Sequence, residues 1–137
     1  MRAADLIVHA GDLSSIEVLD WMKALGPPVH AVHGNVDTAE VRARLPETLA
    51  LEADGHTLAV VHDAGPAKGR LARMRRRFPD ADAVIFGHSH LPLHETDGRF
   101  QIFNPGSPTE RRRAPRHSFG IAETGAGRLE LRHVWLG

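Results

Sequence analysis

Ala83-Val84-Ile85-Phe86-Gly87-His88-Ser89-His90 is the stretch on which the reading of this chain turns. Four apolar residues without a polar break are the pattern of a short strand covered on both faces. They run directly into two imidazoles two residues apart. Three other apolar runs end in a similar way. Leu6-Ile7-Val8 leads to Gly11-Asp12, Val29 to Val32 leads to Gly34-Asn35, and Leu58-Ala59-Val60-Val61 leads to His62. Open α/β sheets hold their ligand crevice at the carboxyl ends of the strands. Four strands ending in Asp, Asn or His therefore aim those side chains at one crevice. Mixed oxygen and imidazole donors suit a borderline divalent ion such as Mn, Fe, Zn or Ni.

Outward from these runs, strands and helices alternate. Asp5 to Gly11 reads as a buried strand. Ser14 and Glu17 have capping-box spacing, and Ile16, Leu19, Met22 and Leu25 follow at helical intervals until Gly26-Pro27-Pro28. Val29 to His33 is a second strand, and a short helix from Thr38 to Leu45 stops at Pro46. Thr48 to Glu52 and His56 to Val61 form a hairpin around Asp54-Gly55, a strong turn dipeptide. Lys68 to Phe78 is an amphipathic helix with Leu71, Met74 and Phe78 inward, ended by Pro79. Beyond His90 the pattern changes to hairpins. Leu93 to Thr96 and Phe100 to Phe103 flank Asp97-Gly98, and Ser118 to Glu123 and Arg128 to Trp135 flank Gly125-Ala126-Gly127. This succession predicts an α/β protein of two packed sheets with helices outside.

The 137 residues read as one domain, 1–137, with no linker or repeat. Such a length can bury roughly two-thirds of the unfolded surface. Without cysteine, disulfides and thiolate metal sites are excluded. No apolar run approaches the ~20 residues of a membrane span, and Met1-Arg2-Ala3-Ala4-Asp5 lacks the look of a signal peptide. The expectation is a soluble, cytoplasmic protein with no membrane partner. Seventeen Lys and Arg balance seventeen Asp and Glu, which argues against nucleic acid as a partner. Five Phe, two Trp and no Tyr offer little stacking surface for it. The basic residues are nevertheless clustered, at Arg70 to Arg77 and at Arg111, Arg112, Arg113 and Arg116.

Hydrolysis of phosphoesters by two ions needs a carboxylate that bridges them and neutral donors that leave coordination positions open. Asp12 is the bridging candidate. Asn35, His62 and His88 could complete one shell, and His90, two residues on, could reach a second ion. Taken singly, Gly-Asp and Gly-Asn are ordinary turns, and a lone His62 is an ordinary half-buried histidine. Two histidines spaced as in Gly87-His88-Ser89-His90 are uncommon, and the force lies in the ordered combination.

That order, G-D, G-N-x-D, H, G-H-S-H and then N-P-G-S-P at Asn104 to Pro108, resembles the calcineurin-like metallophosphoesterases. The similarity is greatest to their small bacterial and archaeal phosphodiesterases, and it runs along essentially the whole chain. The resemblance implies a four-layer α/β/β/α sandwich of two mixed sheets. It also implies a dinuclear site of divalent ions, Mn foremost, acting on a small phosphoester substrate. Asp12 would bridge, Asn35, His62 and His88 would hold one ion, and His90 the other. Ser107 is the polar candidate of the Asn104 to Pro108 loop, although Asn-Pro-Gly-Ser is also simply a good turn. Arg111 and Arg112 lie just past that loop, where guanidinium forks match phosphate oxygens.

The pattern also has gaps. The family opens with a strand ending in Asp-x-His, and this sequence offers no replacement for it. Either the reading frame begins upstream, or the chain lacks the unit and one ion keeps only Asp12 and His90. In the second case activity is weak, and a neighbouring strand exposes an edge that invites pairing with a second copy. Val36 stands where many members carry a histidine that protonates the leaving oxygen, and valine has no proton to give. His33 is a possible substitute. Asp63 is a candidate to orient the His62 imidazole, and His117 is a weaker candidate for substrate contact. His9, His30, His56, His94 and His133 read as strand or hairpin residues satisfied by backbone or water, and Arg70 to Arg77 mostly as a solvated helix face. The rival reading of the whole chain is a non-catalytic scaffold, for which the family has a precedent in a retromer subunit.

Overall fold

The computed structural model describes residues 7–11, 20, 22–24, 26–34, 37–107, 117–125 and 127–136. Its centre is a five-stranded mixed sheet whose residues alternate between two cores. The strands are β3 (Thr48–Ala53), β4 (His56–Val61), β5 (Ala83–Phe86), β6 (Leu93–Asp97) and β7 (Phe100–Asn104), in the order β3-β4-β5-β7-β6. β4, β5 and β7 are mutually parallel, and β3 and β6 run antiparallel at the edges. Leu58, Val60, Ala83, Ile85 and Phe103 belong to one core. Ala59, Val61, Val84, Phe86, Phe100 and Ile102 belong to the other. This is the period of two of an extended chain. Because both faces are covered there, β5 and β4 from Leu58 onward read as unbroken apolar runs.

A helix, Arg70–Arg77, covers the second core with Met74 buried and Leu71 and Phe78 partly so. Against the first core lie two further pairs of strands. β1 (Ile7–His9) and β2 (Val29–Ala31) are parallel, and β8 (Ser118–Gly125) and β9 (Arg128–Trp135) form a hairpin. Val8, Val32, Leu129 and Leu131 reach the first core from these pairs. Outside β1 and β2, Ile7, Met22, Ala31 and Val41 form a third cluster with a short helix, Ala39–Arg44. The layers are therefore helix, sheet, sheet and helix. Among the described residues the second sheet layer comprises two separate pairs rather than one mixed sheet. These two helices are labelled α1 (Ala39–Arg44) and α2 (Arg70–Arg77).

The element ends have local causes. Thr38 caps α1 by accepting from Val41 N at 3.3 Å. Leu45 leaves the helix at φ −119° and ψ 146°, the extended conformation imposed by Pro46. α2 starts at Arg70 rather than Lys68 because Gly69 sits at φ 72°, outside helical geometry. β1 and β2 end at His9 and Ala31, two residues short of the expected ends at Gly11 and His33. Asp54 and Gly55 at φ 50° and 81° form the expected tight turn. The β6–β7 turn lies one residue later than expected, because Asp97 pairs with Phe100 and leaves Gly98-Arg99 as the loop. Asp20, Met22 and Lys23 are helical, whereas Ser14 and Glu17 lie outside the described residues.

Arg70 to Arg77 are not simply a solvated face. Arg73 Nη2 donates to Ala64 O at 2.8 Å and Pro66 O at 2.5 Å, and its Nη1 to Lys68 O at 3.2 Å. Arg70 lies 4.9 Å from the centre of the Phe86 ring. Arg75 pairs with Asp97. These arginines fasten the segment that follows His62 onto α2.

Candidate metal centre

Four chain segments meet around the His62 ring. Its Nδ1 lies 2.7 Å from Ala10 O. A carbonyl only accepts, so Nδ1 carries the proton and Nε2 keeps its lone pair. Gly11, at φ 101°, passes so near that a Cβ there would lie 2.6 Å from His62 Nδ1 and 2.9 Å from Gly34 N. Gly87 N donates to His62 O at 2.9 Å. The ends of β1, β2, β4 and β5 thus converge, and the first two belong to a different sheet from the last two.

His88 completes the visible donor pair. Its Nδ1 lies 3.3 Å from His62 Nε2, with the rings edge to face at 85° and centroids 5.2 Å apart. With metal–nitrogen bonds of about 2.0–2.1 Å, neighbouring corners of a tetrahedron lie roughly 3.3–3.4 Å apart. The two nitrogens therefore fit adjacent positions on one ion. Among the described residues no group of three His, Cys, Asp or Glu closes on such a point. Asp12 and Asn35, the other expected ligands, lie outside the described residues, as do Val36, Arg111 and Arg112. Of their neighbours, Gly11 lies against His62, and Gly34 lies against Gly11.

The turn carrying the histidines is strained. His88 and His90 have φ of 71° and 61°, a region that costs of order 1–3 kcal/mol for a residue with a side chain and clusters at functional sites. Asn104 is fully buried and supports this turn. Its Nδ2 donates to Gly87 O at 3.1 Å and Ser89 Oγ at 3.3 Å, while its Oδ1 accepts from Gly106 N at 2.9 Å. Ser107 is itself buried, with its backbone carbonyl accepting from Ser118 N at 3.0 Å. Asn104 is the residue that ties the loop to the histidine turn. On the β2 side, buried Asp37 accepts from Gly34 N at 2.6 Å and its carbonyl accepts from Arg42 Nε at 3.3 Å. Neither positioning role was singled out in the sequence, although both residues stand inside the quoted motifs.

Other histidines sort by their partners. His33 is half-buried, and its Nδ1 is buried without a hydrogen bond. His9 Nδ1 accepts from Gly11 N at 3.1 Å, and His94 and His133 bond to Gln101 Oε1 and Asn104 O, each at 2.7 Å. His56 departs from expectation. Its Nε2 is buried and unpartnered, and Nδ1 lies 3.8 Å from Asp82. Asp63 does not orient His62, for it is exposed and accepts from Gly65 N at 2.8 Å, and Ala10 O holds the ring instead. The sequence does contain an Asp-x-His, Asp54-Gly55-His56, but it forms the β3–β4 turn at the opposite end of β4 from His62. Six extended residues put it about 20 Å away.

Residues 1–127 match the family model described as the calcineurin-like phosphoesterase superfamily domain. A probable metallophosphoesterase of Methanothermobacter thermautotrophicus is 32% identical over 110 residues, which are 79% of this chain and 63% of the relative. This chain therefore spans less than two-thirds of that relative's length. A novel archaeal phosphodiesterase of known structure superposes with a TM-score of 0.78 at 20% identity, covering 98% of this chain and 84% of its own. Vps29 of Entamoeba histolytica in complex with zinc superposes with a TM-score of 0.74 at 24% identity, covering 96% and 82%.

Proposed function

Because this chain belongs to the calcineurin-like phosphoesterase superfamily, we propose that it is a metal-dependent hydrolase of small phosphodiesters, with Mn as the preferred ion. The observation that carries this reading is the His62–His88 nitrogen pair, 3.3 Å apart, with the other His62 nitrogen held by Ala10 O. A histidine whose proton is fixed on Nδ1 presents Nε2 as a ligand in every molecule.

In this reading Asp12, Asn35, His62 and His88 hold one divalent ion, and Asp12 and His90 contact the second. Bound ions lower the pKa of water and offset phosphate charge. Val36 cannot protonate the leaving oxygen, so His33 takes that part. Ser107, Arg111 and Arg112 contact the substrate. Asp12 and His90 are the donors that this reading assigns to the second ion. A cytoplasmic location belongs to the same reading. It agrees with the lack of cysteine and with the fact that no described helix is long and apolar enough to cross a membrane.

The test is hydrolysis of bis-nitrophenyl phosphate with Mn added, in the wild type and in Asp12→Ala and His88→Ala. Turnover in the wild type and a loss of at least tenfold in each variant are expected. Equal rates in all three, or no turnover joined to a stable complex with another protein, would replace the hydrolase with a scaffold.

A further inference from the structure

A cavity of about 200 Å³ opens beside His62, lined by His33, Gly34, Arg42, Glu47, Val61, Asp63 and Arg77. It is smaller than the roughly 300–1,000 Å³ of pockets that enclose whole ligands. It therefore has room for one substituent of a molecule that reacts next door. Two arginines line it from different elements, Arg42 in α1 and Arg77 at the end of α2.

Arg77 is the informative one. It forms no ion pair among the described residues, and its guanidinium is steadied over the Phe78 ring at 5.2 Å. The C-terminal end of a helix favours a cation there. A fork of donors held in place without a carboxylate partner matches a phosphate or carboxylate. Of the two lining acids, Asp63 is engaged with Gly65 N. Glu47 is exposed and can accept from a hydroxyl beside the anion. Arg42 is already committed in part, through Nε to Asp37 O, and serves as a wall.

We propose that this cavity is a subsite for an anionic substituent on the leaving-group side of the phosphoester, with Arg77 as its principal donor. The substrate class is then a phosphodiester whose leaving alcohol carries a second phosphate or a carboxylate. This rests on the hydrolase reading above and names its preference.

The experiment uses a matched pair of substrates, methyl nitrophenyl phosphate with and without a carboxylate on the leaving ring, under Mn. Wild type should favour the carboxylated ester by about tenfold in kcat/KM. That ratio should fall toward one in Arg77→Gln and persist in Arg76→Gln, an exposed neighbour that does not line the cavity. A ratio near one in the wild type, or an equal fall in both variants, overturns the proposal. A second arm titrates inorganic phosphate into the metal-free protein and follows the Arg77 and His33 side-chain resonances by NMR. Saturable shifts that vanish in Arg77→Gln support the subsite even if neither ester is hydrolysed, in which case only the hydrolase reading fails. Phosphate binding that is absent, or indifferent to the substitution, counts against the subsite.

Discussion

The tightest constraint at the scale of single residues is Gly11. Its φ of 101° disfavours any side chain, and a Cβ would lie 2.6 Å from His62 Nδ1. Gly11→Ala should therefore displace the imidazole from Ala10 O. We expect metal affinity measured by calorimetry to fall at least tenfold, with a stability loss of about 1–3 kcal/mol from strain and the broken bond. Unchanged Mn affinity would show that the ring does not need this approach. The left-handed His88 and His90 are a second case of local conformation serving the site, since the strain is held by Asn104 beneath the turn. Residue types alone marked His62 and His88 as donors. They did not distinguish Ala10 O from Asp63 as the partner of His62, because that partner lies 52 positions away in the chain.

At the scale of elements, strand positions were legible because two-sided burial leaves apolar runs, as at Ala83–Phe86. Helix boundaries were legible where proline or a capping threonine acts locally, as at Thr38 and Pro46. The role of α2 was not. Its arginines read as a solvated face, yet Arg73 gathers the carbonyls of Ala64, Pro66 and Lys68. Arg73→Ala should free the segment after His62. Faster amide exchange at residues 64–69 and a stability loss of about 1–2 kcal/mol are expected, discounted for partial exposure. Protection equal to the wild type would return these arginines to a purely solvated role.

For the whole molecule, the five-stranded sheet is the rigid base on which the site is built. Ile102, fully buried in β7 between Phe100 and Phe103, should lose about 2–5 kcal/mol on truncation to alanine, read as a lower urea midpoint. A loss below 1 kcal/mol would mean that this core is loosely packed. The opposite layer is less continuous. Among the described residues, the β1–β2 and β8–β9 pairs bond to no other strand, and such edges recruit a strand from another chain. We therefore expect light scattering to report a dimer that dissociates on dilution. A monomer at every concentration would remove the sheet-edge partner.

What the linear order determined by itself was the alternation of elements and the identity of the donors at the strand ends, because burial and capping act over neighbouring residues. Tertiary structure alone decided which of those ends meet. Ala10, Gly34, His62 and Gly87 come from two sheets and are joined by a carbonyl–imidazole bond and by glycine-sized approaches. Such contacts depend on how the layers stack on their shared apolar core, which periodicity within one segment does not encode.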